Sequence, residues 1–258
     1  MNLTQSVKII CGKQDSFRHI TDKVVREFPL KIIVNEQDLV TLVCTPAHLD
    51  QLAVGYAFSK GLLNSKDDIE QIIDSDEGIC LTLRNKTALI DKKCPKIITS
   101  SSGKVSQCDD IKGLRLAPRN SKVPYYSIYE MADVLSSGSE LFKDTGGVHT
   151  ALLSDHHKSF TLFREDIGRH NAVDKVIGFM ILNQVLPEDK VLVISGRVSS
   201  EILIKTARSG ISILVSRSAP TDLAVSLANQ LGITLIGFVR GKRMNIYAQE
   251  ERIDIAKR

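Results

Sequence analysis

Aromatic residues are scarce in this sequence, and long apolar runs are absent. Tryptophan does not occur, and Phe, Trp and Tyr together make up 5% of the 258 residues, which argues against a nucleic-acid surface built from stacked rings. No apolar run approaches the ~18 residues of a membrane span, and residues 1–8 lack the basic start and apolar stretch of a secretory signal. We therefore expect a cytoplasmic protein that binds neither membranes nor nucleic acid.

Cysteine shows no pattern typical of a disulfide framework or a zinc site. The five residues are an odd number, and no two are separated by only two positions. Reduced thiols and no metal site are therefore expected. The cysteines are Cys11, Cys44, Cys80, Cys94 and Cys108.

A strong excess of charge of one sign is also lacking. Lys and Arg number 34 against 30 Asp and Glu, for a net charge of +4. This mild excess fits a local site for an anionic ligand better than an extended basic surface. The length predicts one or two domains.

The chain changes character near Pro124, which predicts a strand-rich region over 1–124 and an α/β domain over 125–258. In the first region, hairpins are predicted at 31–43 and 69–83, around turn-forming residues. Between them a helix over 46–60 is predicted, with Thr45 as its N-cap. Residues 91–124 are predicted to form a polar loop.

Strand and helix patterns alternate after residue 124. Runs such as 190–194 and 211–215 are apolar enough for strands that are covered on both faces. The alternation predicts an α/β layered domain with a partly parallel sheet. The predicted strands are 149–153, 160–163, 190–194, 211–215 and 233–238, and the predicted helices are 128–135, 172–186, 201–207 and 222–231.

Cations, glycines and histidines gather near the ends of the predicted strands, where α/β proteins bind their ligands. Helix N-termini at such junctions favour anions. Plainer interpretations remain open: a structural histidine at 149, caps at Asp166, Asn171, Ser199 or Thr221, and a solvated basic turn at 240–243. The candidate site residues are Gly146, Gly147, His149, Arg164, Arg169, His170, Arg197 and Phe238 through Arg243.

Together these segments predict one crevice for a large anionic ligand, such as a nucleotide or a nucleotide-bearing cofactor. The sequence has no Walker motif and no G-x-G-x-x-G, so an ordinary NTPase or Rossmann dehydrogenase is unsupported. A zinc deaminase needs His-x-Glu and Pro-Cys-x-x-Cys. Ala151 stands where the Glu after His149 would be, and Cys94 has no partner cysteine, so this function is rejected.

The same segments resemble the FdhD family of formate dehydrogenase accessory sulfurtransferases. The resemblance rests most strongly on 164–175 and also on 145–149, 195–197, 218–221 and 237–243, with a looser match through 45–63. It implies a cytidine-deaminase-like mixed α/β domain beside a smaller N-terminal region. It also implies that Phe238, Val239, Arg240, Gly241, Lys242 and Arg243 bind cofactor.

The resemblance implies a function in maturing formate dehydrogenase. Members of this family carry sulfur from a cysteine desulfurase to the molybdenum cofactor and bind that cofactor as bis(molybdopterin guanine dinucleotide). GDP-like nucleotides are the expected mimics. A homodimer is left open.

One departure from the family pattern concerns the sulfur itself. The family loop reads Thr-Ser-Ser-Cys-Gly-x-Cys, and its first cysteine carries a persulfide. Here the loop is Thr99-Ser100-Ser101-Ser102-Gly103-Lys104-Val105. Because a hydroxyl cannot form a persulfide, Ser102 is expected to be inert. Enzymatic activity is left open, and the alternative is a cofactor-binding chaperone without sulfur transfer, with Cys108 as an incidental thiol or a substitute.

Overall fold

The computed structural model describes residues 2–85, 97–98, 114, 122–155, 157 and 159–256. The strands are β1 (Thr4–Lys13), β2 (Ser16–Val25), β3 (Phe28–Val34), β4 (Gln37–Cys44), β5 (Ile69–Ser75), β6 (Gly78–Leu83), β7 (Ile97–Ile98), β8 (Val123–Pro124), β9 (His149–Asp155), β10 (Thr161–Asp166), β11 (Lys190–Ile194), β12 (Ile213–Ser216), β13 (Thr234–Arg240), β14 (Arg243–Ala248) and β15 (Ile253–Asp254). The helices are α1 (Leu49–Ser59), α2 (Tyr125–Ser137), α3 (Glu140–Thr145), α4 (Arg169–Leu182), α5 (Ser200–Arg208) and α6 (Asp222–Leu231).

A six-stranded mixed sheet forms the centre of the molecule, in the order β10-β9-β11-β12-β13-β14. β11, β12 and β13 run parallel, and β9 runs antiparallel to both β10 and β11. The carboxyl ends of β10, β11, β12 and β13 therefore meet at one edge, with the start of β9. We call this the strand-end edge.

Helices cover both faces of this sheet. Alternate residues of each strand face opposite sides, so a single strand contributes to the core on both faces. Leu192 and Ile194 of β11 belong to the core that includes α1, α4, α5 and α6. Val191 and Val193 of the same strand belong to the core under α2. The mixed α/β architecture predicted from the alternating pattern is confirmed.

The N-terminal region contributes a second sheet, in the order β5-β6-β3-β4-β7. Its helix α1 crosses α4 where two glycines meet the facing backbone. A Cβ on Gly55 would lie 1.8 Å from the carbonyl oxygen of Asp174, and one on Gly178 would lie 1.8 Å from that of Gln51. Only glycine permits this close approach of α1 and α4. The contact joins the N-terminal region and the α/β domain in one hydrophobic core.

Three of the predicted helices have other bounds in the structure, and the one predicted over 128–135 spans Tyr125–Ser137. The first helix begins at Leu49, and its N-cap is His48 in the left-handed conformation at φ 54°. Thr45 does not cap it, because its hydroxyl accepts instead from the Ile167 N–H at 3.1 Å. The helix predicted over 172–186 starts earlier, at Arg169, and ends at Leu182.

Other local predictions are confirmed. The hairpins at 31–43 and 69–83 form as β3–β4 and β5–β6. Ser199 and Thr221 are N-caps whose hydroxyls accept from the backbone of Ile202 and Ala224. The hairpin of β1 and β2 and the strand β14 were not predicted, although Met244, Ile246 and Ala248 of β14 alternate with more polar residues.

Candidate functional site

The loops that follow β11 and β12 are bonded to each other and to the last part of β13 at the strand-end edge. The Val198 N–H donates to the Ala219 carbonyl at 3.1 Å, and the Phe238 N–H donates to the Ser218 carbonyl at 3.1 Å. The Ser216 hydroxyl donates to the Gly196 carbonyl at 2.7 Å. Three segments far apart in sequence therefore form one surface.

His149 lies within this surface, at the start of β9. Its Nδ1 is 3.4 Å from the Ser195 hydroxyl, which also accepts from the Thr150 N–H at 3.0 Å. Burial lowers the pKa of His149, and the nearby Arg169 lowers it further. At neutral pH the imidazole of His149 is therefore uncharged, and it lies beside Gly196 as a polar group and not as a cation.

Arg169 and Arg197 are the cations beside Gly196. A Cβ on Gly196 would lie 3.0 Å from Arg169 Cβ and 3.4 Å from His149 Nδ1, so Gly196 lies against both residues. Burial lowers the pKa of Arg169, and repulsion from Arg197 adds to the effect. Arg169 Nε is buried and has no hydrogen-bond partner among the described residues. Such a donor is suited to an anion.

His170 is held beneath the same surface. Its Nε2 is 3.3 Å from the Ser199 hydroxyl and 3.6 Å from Glu201 Oε2. Burial and, to a lesser extent, the nearby Lys205 lower its pKa to about 4. His170 is thus a neutral, mostly buried residue that links the starts of α4 and α5.

The hairpin of β13 and β14 adds the basic turn predicted from the sequence. Phe238 and Gly241 take positive φ values of 54° and 56°, and Phe238 is 38% exposed. Arg240 Nε donates to the Arg217 carbonyl at 3.1 Å. Lys242 and Arg243 are exposed, whereas Val239 is buried in the core under α2. Val239 can therefore offer a ligand only its backbone.

The Gly146-Gly147 turn leads into β9 at the same edge. Gly146 ends α3 with a φ of 64°, and no atom lies within 4 Å of an added Cβ there. Gly147 instead packs on Val25 of β2, whose Cγ1 an added Cβ would meet at 2.7 Å. Of these two glycines, Gly146 alone leaves open space beside the backbone.

Arg164 is the predicted site residue that the fold does not bring to this cluster. Its Nε donates to Gln51 Oε1 at 2.7 Å, and a second nitrogen donates to the Phe163 carbonyl at 2.7 Å. The guanidinium carbon lies 5.1 Å from the centre of the Phe179 ring. Arg164 therefore joins β10 to α1 and α4.

Several charges of the 164–175 motif are entirely buried. Asp166 pairs with Lys175 at 2.7 Å, and both side chains are fully buried. Asp174 pairs with Lys205 and accepts from the Ser59 hydroxyl at 2.7 Å. These groups hold α1, α4 and α5 together and cannot reach a ligand.

Sequence reasoning missed two charged residues of the edge. Glu201 is the carboxylate among the cations Arg169 and Lys205. Burial raises its pKa, but the nearby cations, Lys205 above all, outweigh burial and lower it. Arg217 directly follows the buried strand β12. A charge immediately after a buried strand was the available signal for Arg217.

The Ser102 loop, Cys94 and Cys108 lie outside the described residues. Free thiols in the described part are Cys11, Cys44 and Cys80. Cys44 is buried, and burial raises its pKa to about 12, so it is a poor nucleophile. Among the described ranges no three His, Cys, Asp or Glu side chains are grouped as metal ligands would be. None of the helices described is long and apolar enough to cross a membrane.

The fold and this edge define a mixed α/β protein with a cationic cluster at the carboxyl ends of its strands. The FdhD/NarQ family model matches residues 25–254, and the chain belongs to that family. It is 40% identical over 247 residues to the sulfur carrier protein FdhD of Bacillus pumilus, covering 93% of this chain and 94% of that protein. The sulfur carrier protein FdhD of Staphylococcus aureus is 40% identical over 240 residues, with 90% of each chain covered.

A solved structure is also similar. It is a crystal structure from Desulfotalea psychrophila, described provisionally as a formate dehydrogenase accessory protein. The TM-score is 0.82 at 25% identity, with 98% of this chain and 100% of that chain covered. The predicted family is confirmed, whereas the cytidine-deaminase-like layering remains a prediction.

Proposed function

We propose that this protein is a cytoplasmic accessory factor for formate dehydrogenase, and that it holds the molybdenum cofactor as cargo at the strand-end edge. The cargo is bis(molybdopterin guanine dinucleotide), which carries pyrophosphates and guanines. The observation that carries the proposal is that Arg169, Arg197, Arg240, Lys242 and Arg243 all lie at or just beyond the carboxyl ends of strands of one sheet. The names of the relatives support the same function.

The residues present fit such a cargo. Arg169 offers a buried Nε that lacks a partner in the described part of the chain, and phosphate oxygens accept strongly from guanidinium groups. The open space beside Gly146 and Gly241 lets a ligand approach the backbone. The exposed ring of Phe238 offers a flat apolar surface for a guanine.

Calorimetric titration with GDP tests this site. Charge-assisted hydrogen bonds contribute about 1.5–3 kcal/mol each, so Arg243→Ala and Arg197→Ala should each weaken GDP binding by about tenfold or more. Arg84→Ala, which removes an exposed arginine of the N-terminal sheet, is the matched control and should bind normally. Unchanged GDP affinity in both edge variants would overturn the site.

Sulfur transfer is the finer part of the function. The family activity passes sulfur from a cysteine desulfurase to the cofactor through a persulfide on the loop cysteine. Ser102 stands at that position, so the alternative is a chaperone that binds the cofactor and does not carry sulfur.

Treatment with a cysteine desulfurase and labelled cysteine, followed by mass spectrometry of each thiol, separates the two functions. The chaperone alternative predicts no stable adduct on the natural protein and a persulfide on Ser102→Cys. An adduct on Cys108 of the natural protein would show that Cys108 has taken over the carrier function. No adduct on Ser102→Cys would show that the loop was aligned wrongly.

A further inference from the structure

Glu201, in the first turn of α5, is a carboxylate among the cations of the strand-end edge, and no described residue donates a hydrogen bond to it. Its Oε2 lies 3.6 Å from His170 Nε2, and its Oε1 lies 3.9 Å from Lys205 Nζ. Both distances exceed those of a hydrogen bond. Lys205 Nζ donates instead to Asp174. The two carboxylate oxygens of Glu201 are therefore left as acceptors.

Glu201 is also ionised and largely covered. Its side chain is 21% exposed. Burial raises its pKa, but the surrounding cations, Lys205 above all, outweigh burial and lower it. The positive end of the α5 dipole also favours a carboxylate in the first turn. A covered, ionised acceptor without donors costs free energy, because the water that it has lost is not replaced. A ligand with N–H groups would supply those donors.

A donor without a partner lies beside this acceptor. Arg169 Nε is buried and makes no hydrogen bond within the described ranges. Arg169 directly precedes His170, whose ring faces Glu201, and the charges of Arg169 and Glu201 act on each other's pKa. An unsatisfied donor and an unsatisfied carboxylate thus lie next to each other at the starts of α4 and α5. Together they favour a ligand edge that carries an acceptor beside donors.

We propose that Glu201 recognises the guanine base of the ligand by accepting from its N1–H and its 2-amino group. Guanine presents these two donors side by side, next to the acceptor O6. The carboxylate of Glu201 therefore meets the donors, and Arg169 meets the acceptor. Since an arginine has five donors, Arg169 can serve O6 and a phosphate together. The inference rests on the proposed function and assigns the residue that selects the base.

The same arrangement disfavours adenine. Adenine carries an acceptor at N1 and an amino donor in place of O6, so Glu201 would face an acceptor and Arg169 a donor. Hypoxanthine keeps N1–H and O6 and lacks only the 2-amino group. A site built to hydrogen-bond a group rejects an analogue without that group, because the buried partner is left unpaired. GDP should therefore bind most tightly, IDP less tightly and ADP least.

Calorimetric titration of the full chain with GDP, IDP and ADP tests this order. GDP should bind to the natural protein about tenfold or more tighter than IDP, and ADP should be weaker still. Glu201→Gln should lose about tenfold or more of GDP affinity, and with it most of the preference for GDP over ADP. Glu70→Gln, the same change at an exposed position of β5, is the matched control and should keep both. Equal affinities of the natural protein for GDP and ADP would overturn the inference.

A gain of affinity gives a second measurement, which misfolding of the variant cannot imitate. Xanthine has a carbonyl at C2, where guanine has the amino group. The amide in Glu201→Gln accepts from N1–H through its oxygen and donates to that carbonyl through its nitrogen. The variant should therefore bind XDP about tenfold or more tighter than the natural protein does. An unchanged XDP affinity would overturn the contact with the base.

The sign of the change separates base recognition from simple charge balance. If Glu201 only offset the neighbouring cations, its removal would tighten the binding of GDP, IDP and ADP by the same factor. That result would overturn the inference and leave the proposed function intact. Absence of binding of any nucleotide to the natural protein would instead count against the proposed function itself, and the inference with it.

Discussion

Two regions of the molecule use charged residues for opposite purposes: the layer of buried ion pairs around α4, which we call the buried layer, and the strand-end edge. In the buried layer, Lys175 and Asp166 are fully buried and pair with each other. At the edge, Arg197, Lys242 and Arg243 are exposed. The 164–175 motif supplies residues to both regions, so its charges divide into structural and ligand-facing groups.

The difference lies in what each group has for a partner. Lys175 Nζ also donates to the carbonyls of Thr45 and Glu165, at 3.1 Å each, so its hydrogen-bonding capacity is satisfied within the fold. Arg169 Nε has no such partner in the described part of the chain. A charge that the fold satisfies stabilises the fold, whereas a charge left unsatisfied at an edge is available to a ligand.

Lys175→Met should have the largest effect. It leaves the carboxylate of Asp166 buried without its cation, which costs about 3–5 kcal/mol of unfolding free energy. Urea denaturation measures the loss. Lys143→Met is the control, since its pair with Glu140 is exposed and contributes little. Equal stabilities of the two variants would remove the distinction between the regions.

His170 lies between the two regions, and the pH dependence of the unfolding free energy tests how it is buried there. Its pKa is about 4 in the folded protein, below the ordinary value of 6.5, so the unfolded chain binds more protons between these values. The resulting stability is present above pH 6.5 and is lost as pH falls toward 4, by up to about 3 kcal/mol.

Urea denaturation between pH 4 and 7 checks this, with His170→Gln as the comparison. The variant should lose the part of the pH dependence that belongs to His170, whereas His48 and His149 keep theirs, because burial lowers their pKa values as well. Parallel pH curves for the two proteins would show that His170 is not buried as described.

Gly178→Ala should have an intermediate effect. Its Cβ would lie 1.8 Å from the Gln51 carbonyl oxygen, so α1 and α4 must separate, at a cost of about 1–3 kcal/mol or more. Thermal unfolding measures this. Ser226→Ala on the exposed face of α6 is a control expected to stay within about 0.5 kcal/mol. A stable Gly178→Ala protein would contradict the close helix crossing.

Arg197→Ala should have the smallest effect on stability. The residue is exposed and takes part in no ion pair among the described residues, so the unfolding free energy should change by less than about 0.5 kcal/mol. The same variant should lose GDP affinity. Urea denaturation run beside the titration checks both, and a loss of stability comparable to that of Lys175→Met would place Arg197 in the structural group.

Local patterns in the sequence were enough to predict most of the central sheet. Apolar runs predicted the buried strands, and Ser199 and Thr221 marked helix starts, because a cap depends on residues within one turn. The order of strands and helices also predicted that the glycine and arginine turns meet at one edge. Family membership followed from the long 164–175 motif, which is specific without any structure.

Tertiary structure alone decided which charges bind partners inside the fold. Arg164 and Asp166 lie on the face of β10 that α1 and α4 cover, so Arg164 turned to Gln51 and Phe179 and away from the edge. Thr45 was drawn from its expected cap to the Ile167 N–H. In each case the partner comes from a distant part of the chain, and burial, which sets the energy of a charge or an apolar group, depends on what packs there.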